Sequence, residues 1–313
     1  MNLAQEIING NITALGQGIT LVESTLPKHE EEAQKLLSKC LPKSGKSIRI
    51  GITGVPGVGK STFIETFGNL LTKEGKKVAV LTIDPTSETT HGSILGDKSR
   101  MHELSKNKNA FIRPSPSSGK LGGIANRTRE SIILCEAAGF DAILIETVGV
   151  GQSETTANNI VDFFLLLMLA GAGDELQGIK RGIMELADTL VITKSDGYNI
   201  QKAKNATLEY KRAIHLFPPM QNGWIPQVST CSALENTGIS EVSEIIKKFD
   251  RQMTSNGWKK NNRKDQNNYW LHHSIKEELG KRKYKLLVDT REIKALEEEL
   301  TKGKTIYQIL NNL

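Results

Sequence analysis

Three cysteines in 313 residues, Cys40, Cys135 and Cys231, lie far apart in the chain. That excludes a disulfide-stapled secreted domain and suits reduced thiols used for packing. The six histidines form neither a His-Glu-x-x-His helix motif nor a Cys/His cluster. The adjacent pair His272-His273 would point about 100° apart on a helix, so a transition-metal site has no framework. Long apolar runs are missing as well. The longest, Phe163 to Ala172, is about ten residues against the roughly twenty that a spanning helix requires, and Asp162 and Asp174 bracket it. A buried strand accounts for it, and no membrane association is expected. The start, Met1-Asn2-Leu3-Ala4-Gln5-Glu6, lacks a basic segment followed by an apolar one, so no secretion signal is read there and the cytoplasm is the expected location.

What remains is an ordinary globular composition, 38% hydrophobic and 24% charged, long enough for one large or two modest domains. The net charge of +6 is uneven, since residues 241–313 hold 16 Lys+Arg against 11 Asp+Glu. Both signs are interspersed there along helical patterns, which describes a solvated helix face, and no nucleic-acid partner is expected.

One stretch organises the rest. Gly54-Val55-Pro56-Gly57-Val58-Gly59-Lys60-Ser61 fits G-x-x-x-x-G-K-S at every fixed position. An apolar strand pattern, Ile48 to Thr53, leads in, and a helix pattern from Thr62 leads out, which is the context such a loop needs. Glycine lets the backbone wrap a phosphate with its N–H groups inward and no Cβ in the way. Lys60 then reaches the β and γ phosphates, Ser61 ligates Mg²⁺, and the helix N-terminus adds its dipole. Pro56, Val58 and Thr62 belong to the same nucleotide-binding stretch.

The chain before this loop, residues 1–46, reads as helix followed by a Pro/Lys/Gly/Ser linker, because Ile8, Ile12, Leu15, Ile19, Val22 and Leu26 recur at steps of four and three. After the loop, Val78-Ala79-Val80-Leu81-Thr82-Ile83-Asp84 reads as a strand buried on both sides. Asp84 ends it, where a carboxylate can hold Mg²⁺ through water or orient the attacking water, or else simply open the turn before Pro85. Residues 91–101 and 111–119 read as long loops, the place of a nucleotide-sensitive switch. A helix near Thr128 to Ala138 leads to the strand Asp141 to Thr147 and then Gly149, a Walker-B-like end. Glu146 can bind Mg²⁺ through water, and the N–H of Gly149 can sense the γ-phosphate. Beyond the strand 163–169, Gly171 to Gly182 reads as a second mobile loop, in which Lys180 and Arg181 either stabilise transition-state charge or form a solvated basic pair.

The strand Thr189 to Thr193 runs into Lys194-Ser195-Asp196. A carboxylate at Asp196 can accept from both guanine N1–H and N2–H₂, donors that adenine lacks, while the Lys194 stem packs on the base. The spacing favours GTP over ATP, although the usual motif has Asn where this chain has Thr193. Ser232-Ala233-Leu234 resembles the loop that backs guanine in GTPases. From about Ile239 onward the pattern is mostly helical.

With these residues quoted, the chain resembles the GTPases that act as chaperones of methylmalonyl-CoA mutase and related adenosylcobalamin-dependent acyl-CoA mutases, some of which carry an older transport-kinase name. The blocks Gly92 to Lys98, Phe111 to Pro116, Glu146 to Glu154 and Gly171 to Gly182 carry the resemblance, in order. It implies an α/β fold: a P-loop GTPase with a mostly parallel central sheet flanked by helices. Residues 1–46 would be a helical extension, 47–240 the GTPase domain, and 241–313 a C-terminal helical region that forms a homodimer. It further implies slow hydrolysis of GTP to GDP that gates cofactor delivery to the mutase and protects it. Lys60 and Ser61 would hold phosphates and Mg²⁺, with Asp84 and Glu146 around the metal. Asp97, also on the metal side, and Lys180 would sit on switch loops.

Two other enzymes stay open at this level. A metallochaperone GTPase for nickel shares the loop but needs a His-rich tract or close Cys/His ligands. An ATP-dependent protein kinase, suggested by the older name, would need a His-Arg-Asp catalytic loop. A scaffold that binds nucleotide without turnover is the non-enzymatic alternative.

Overall fold

The computed structural model describes residues 2–24, 26–84, 101–116, 121–147, 157–171 and 181–313. The chain opens with α1 (Leu3–Ile8), α2 (Ile12–Glu23) and α3 (Pro27–Cys40). It continues through β1 (Ile48–Gly54), α4 (Lys60–Lys73), β2 (Val78–Asp84), α5 (His102–Ser105), β3 (Ala110–Pro116), α6 (Leu121–Ala137), β4 (Ala142–Thr147) and β5 (Phe163–Leu169). Then come α7 (Arg181–Leu186), β6 (Thr189–Thr193), α8 (Ile200–Ile214), β7 (Gln227–Thr230) and α9 (Ile239–Ser255). Four helices close the chain: α10 (Trp258–Glu278), α11 (Gly280–Asp289), α12 (Glu292–Thr301) and α13 (Ile306–Leu310). Among the described residues no helix is long and apolar enough to cross a membrane.

Two compact units emerge from this order. A sheet unit comprises residues 48–124 and 141–259, and a helical unit comprises residues 1–47, 125–140 and 260–313. The sheet has seven strands in the order β3-β2-β4-β1-β5-β6-β7, and every pairing is parallel. Continuous runs such as Phe163 to Met168 are buried throughout, as strands covered on both faces require. Phe63, Ile64 and Phe67 of α4 share one core with Val242, Ile246, Phe249 and Met253 of α9. Phe249 meets Phe163 edge-on at 4.9 Å and Trp224 at 5.2 Å between ring centroids. Residues 241–255, placed by pattern with the C-terminal helices, thus help to build the sheet unit.

The expectation that residues 111–119 form a loop is corrected. Ala110–Pro116 is a strand, paired with β2 from Val78 opposite Ala110 to Asp84 opposite Pro116. Pro114 and Pro116 obscured it, because proline removes a ladder donor. Proline is tolerated here because β3 is the sheet's edge and needs partners on one side only. Residues 117–119 lie outside the described part.

At the amino edge of the sheet an aspartate precedes each of three strands and fastens the neighbouring strand. Asp141 Oδ2 accepts from the Lys77 N–H at 2.8 Å, Asp162 Oδ2 from Arg49 at 2.9 Å, and Asp188 Oδ2 from Phe164 at 2.8 Å. Each aspartate also returns its own N–H to the same residue's carbonyl, at 2.9 Å in all three cases. The device satisfies backbone groups that the ladder leaves open at the strand start. Burial raises the Asp188 carboxyl from an ordinary 3.8 to about 7, with the charge of Asp162 adding to the effect and the Phe164 N–H opposing it.

The helical unit fastens its parts with charge. Glu136, buried at the end of α6, accepts from the Gly45 N–H at 2.8 Å and the Ser47 hydroxyl at 2.7 Å. Arg263 of α10 donates to the carbonyls of Gly45 and Ser47 and lies 3.6 Å from Glu136. The linker expected near residue 45 is therefore tied down. His272 of α10 contacts Glu297 of α12 through Nε2 at 2.8 Å and the Tyr284 hydroxyl of α11 through Nδ1 at 3.0 Å. The thiols of Cys40 and Cys135 are buried in this unit, and desolvation raises both above the ordinary thiol range.

Candidate functional site

The carboxyl edge of the sheet carries the phosphate loop between β1 and α4. Gly54 closes β1 with φ 150°, and a Cβ there would lie 2.5 Å from the Leu167 carbonyl of β5. Only glycine allows that approach. Gly59, at φ 97°, occupies the left-handed region and caps α4. The intervening turn is closed by the Val58 N–H to the Val55 carbonyl at 3.2 Å, with the Val58 side chain wholly buried. Pro56, Gly57 and Thr62 are exposed beside it. The first-turn N–H groups of α4 lack helical partners and carry the positive end of the helix dipole, so an anion is favoured there.

Lys60 Nζ donates to the Gly54 carbonyl at 2.7 Å and the Val55 carbonyl at 3.3 Å. The ammonium thus lies against the loop whose bound phosphates it would neutralise. The Ser61 hydroxyl donates to Glu146 Oε1 at 3.0 Å, across 85 residues of sequence. β4 brings Glu146 there because it lies between β1 and β2, with Glu146 opposite Ile52 on one side and Thr82 on the other. A hydroxyl and a carboxylate side by side at a phosphate loop are the hard oxygen donors that Mg²⁺ takes, so the residues present fit that ion.

The base end is built by β6, β7 and the loops after them. Asp196 Oδ2 accepts from the Ser232 hydroxyl at 2.5 Å, and the Ser232 oxygen in turn accepts from the Glu235 N–H at 3.0 Å. The Ser195 N–H donates to the Cys231 carbonyl at 3.0 Å, and the Asn199 amide donates to the Lys194 carbonyl at 2.7 Å. Lys194 itself is held at φ 55°, in the left-handed region. The Ala233 carbonyl accepts from Thr66 of α4 at 3.2 Å, and Leu234 is 86% exposed beside it. Burial pushes the Cys231 thiol up to about 12, as befits a packing residue.

Thr193, the departure from the usual Asn, has a clear place. Its hydroxyl lies 2.7 Å from the Val58 carbonyl in the phosphate loop and 3.2 Å from the Met168 carbonyl of β5. It braces the phosphate loop from the strand that carries the base-reading residues. An asparagine offers two amide protons for such a task, whereas threonine offers one.

Of the residues read from sequence as a site, Ser61 and Glu146 meet, and so do Asp196 and Ser232. Asp84 ends β2 as expected, but only its backbone is described. Asp97, Gly149 and Lys180 lie outside the described residues, and of Arg181 only the backbone is described. Thr66 and Thr193 were not read as site residues. Thr193 is marked only by its place at the head of the Thr-Lys-x-Asp motif, and the two contacts, which span 167 and 135 residues of sequence, are shown by no local pattern.

Comparisons with known proteins bear on this geometry. The family model described as Methylmalonyl Co-A mutase-associated GTPase MeaB matches residues 15–286. GTPase ArgK of Escherichia coli is 49% identical over 270 residues, which cover 86% of this chain and 82% of that protein. Methylmalonic aciduria type A homolog, mitochondrial, of Mus musculus is 47% identical over 283 residues, 87% of this chain and 68% of that one. Among solved structures, that of an LAO/AO transport system kinase matches with a TM-score of 0.77 and 37% identity, covering 96% of each chain.

Proposed function

Because this chain belongs to the methylmalonyl-CoA mutase-associated GTPase MeaB family and is a P-loop GTPase, we propose that it hydrolyses GTP to gate adenosylcobalamin delivery to an acyl-CoA mutase. In the same reading it protects that mutase, with methylmalonyl-CoA mutase as the client. The observation that carries the hydrolytic part of this proposal is the Ser61–Glu146 hydrogen bond beside the phosphate loop, and the mutase part is supported by the family match. The hydrogen bond supports one centre for the phosphates and the metal.

In this reading Lys60 exchanges the Gly54 and Val55 carbonyls for the β and γ phosphate oxygens. Ser61 would hold Mg²⁺ directly and Glu146 would hold it through water, with Asp84 and Asp97 as the further acids proposed for the ion; the bound ion would supply charge neutralisation at the phosphates. Asp196 takes the guanine N1–H and N2–H₂ donors, held in place by Ser232, while the Lys194 stem and Leu234 flank the base. Gly149 reports loss of the γ-phosphate, and Lys180 meets charge that develops on the transferring group. The C-terminal helices serve a homodimer, which the exposed Tyr269, Leu286 and Val288 of the helical unit support.

The test is GTP turnover by the purified protein, alone and with methylmalonyl-CoA mutase, with ATP as control. Acceleration of GTP but not ATP hydrolysis by the mutase is the expected result. Slow GTP turnover that ignores the mutase would point to another client, and a preference for ATP would overturn the assignment of Asp196.

A further inference from the structure

Exposed apolar side chains are not scattered over the sheet unit. Among its described residues the large ones that stand out in solvent are Tyr198, Ile200, Leu208, Leu216 and Ile225, besides Leu234 at the base end. The first five lie within one segment, residues 198–225. A single exposed leucine needs no explanation, and the weight falls on the residues that share one helix face.

The centre of the segment is α8. Its inner face buries Ala203, Ala206, Tyr210 and Ile214. Its outer face carries Lys204, Leu208, Lys211, Arg212 and, at the cap, His215, all exposed. Steps of four, seven, eight and eleven from Lys204 place them on one side of a helix. Lys202 is exposed on the same helix, and Glu209 is its only acid. Leu208 is 57% exposed and Leu216, just past the helix, is 81% exposed. Leu208 thus stands among cations on this face, with Leu216 just past the helix end.

The surface also adjoins the base-reading loop. Tyr198 is 94% exposed in the 3-10 turn Gly197–Asn199, which follows Asp196 directly and runs into α8. The N-terminal end of this helix therefore continues directly from the turn that follows Asp196.

We propose that the outer face of α8 is the contact surface for the mutase partner, meeting an acidic face with apolar recesses that take Leu208 and Leu216. This rests on the mutase association proposed above. Complementary charge of this kind speeds encounter and weakens with added salt, and the leucines supply contact that salt does not screen.

The experiment is the affinity of the full chain for methylmalonyl-CoA mutase, at low and high salt, for wild type, for the triple variant K204E/K211E/R212E and for L208S/L216S. GTP turnover without mutase is measured alongside. The charge variant is expected to bind mutase at least about tenfold more weakly at low salt, with the difference shrinking at high salt. The leucine variant should be weakened by about tenfold at both, and turnover without mutase should stay at the wild-type level in each. If the charge variant misfolds, K204Q/K211Q/R212Q replaces it. Mutase binding that is unchanged in both variants would overturn the inference while leaving the association standing. Charge-dependent capture on phosphatidylglycerol vesicles with unchanged mutase affinity would assign the face to a membrane and overturn it equally. No binding of mutase by the wild type would remove the association itself.

Discussion

The two edges of the central sheet use the same residue types in opposite ways. At the amino edge, Asp141, Asp162 and Asp188 each accept a backbone N–H of the next strand and return their own. At the carboxyl edge, Glu146 and Asp196 accept from the side-chain hydroxyls of Ser61 and Ser232. A backbone donor belongs to the fold and cannot leave without unpairing a strand. A serine hydroxyl can rotate and give up its bond to an incoming ligand. Position on a parallel sheet thus separates acids that hold the structure from acids free to do chemistry, in keeping with ligand binding at the carboxyl ends of the strands.

The sharpest way to break this comparison is to alter the carboxyl edge and look for a loss of fold. Lys60→Ala should abolish nucleotide binding, weakening GDP at least about a hundredfold by calorimetry. Glu146→Gln should lower GTP turnover by about a hundredfold or more, with the melting temperature unchanged, because glutamine still accepts from Ser61. A large loss of stability in Glu146→Gln would erase the distinction between the edges.

The converse test lies at the amino edge. Asp188→Leu leaves the Phe164 N–H buried without its acceptor, which should cost about 1–3 kcal/mol in urea unfolding. Turnover per folded molecule should not change. The same site gives a pH signature. Its carboxyl is raised in the folded state to about 7, so its contribution to stability is complete below its unfolded pKa and is lost as pH rises through about 7. Between pH 5 and pH 8 the wild type should lose more stability than Asp188→Asn, which cannot titrate, and equal losses would mean that Asp188 is ionised throughout.

The smallest effect is expected where the site is braced. Thr193→Val removes a single hydroxyl between the strand end and the phosphate loop, a change worth about 1 kcal/mol. GDP should bind roughly fivefold more weakly. Thr193→Asn should restore or exceed wild-type affinity, and a weaker Asn variant would show that the brace is shaped for threonine.

Much of this was legible in the chain. Five of the seven strands announced themselves as short apolar runs, because a strand covered on both faces must be apolar along most of its length, whereas β7, Gln227–Thr230, is polar and only partly buried. The phosphate loop and the acids after the strands were legible because their chemistry needs particular residues at fixed spacing. β3 was missed because Pro114 and Pro116 are breakers everywhere except on an edge, and edge position is not a property of a local sequence. The contacts of Thr193 with Val58, Thr66 with Ala233 and Glu136 with Gly45 and Ser47 were missed for a related reason. Each joins distant residues, and hydroxyls and carboxylates look alike in sequence whether they face water or a carbonyl.

The sequence by itself determined the kind of sheet, the phosphate seat and the preference for guanine. Those depend on backbone freedom at glycine, on burial of apolar runs and on the donor pattern of the base, all of which are local. Strand order, and with it the partner of each acid, was decided only in three dimensions. β4 had to lie between β1 and β2 before Glu146 reached Ser61, and β7 had to lie beside β6 before Ser232 reached Asp196. A carboxylate has a role only through what stands within about 3 Å of it, and packing alone sets that distance.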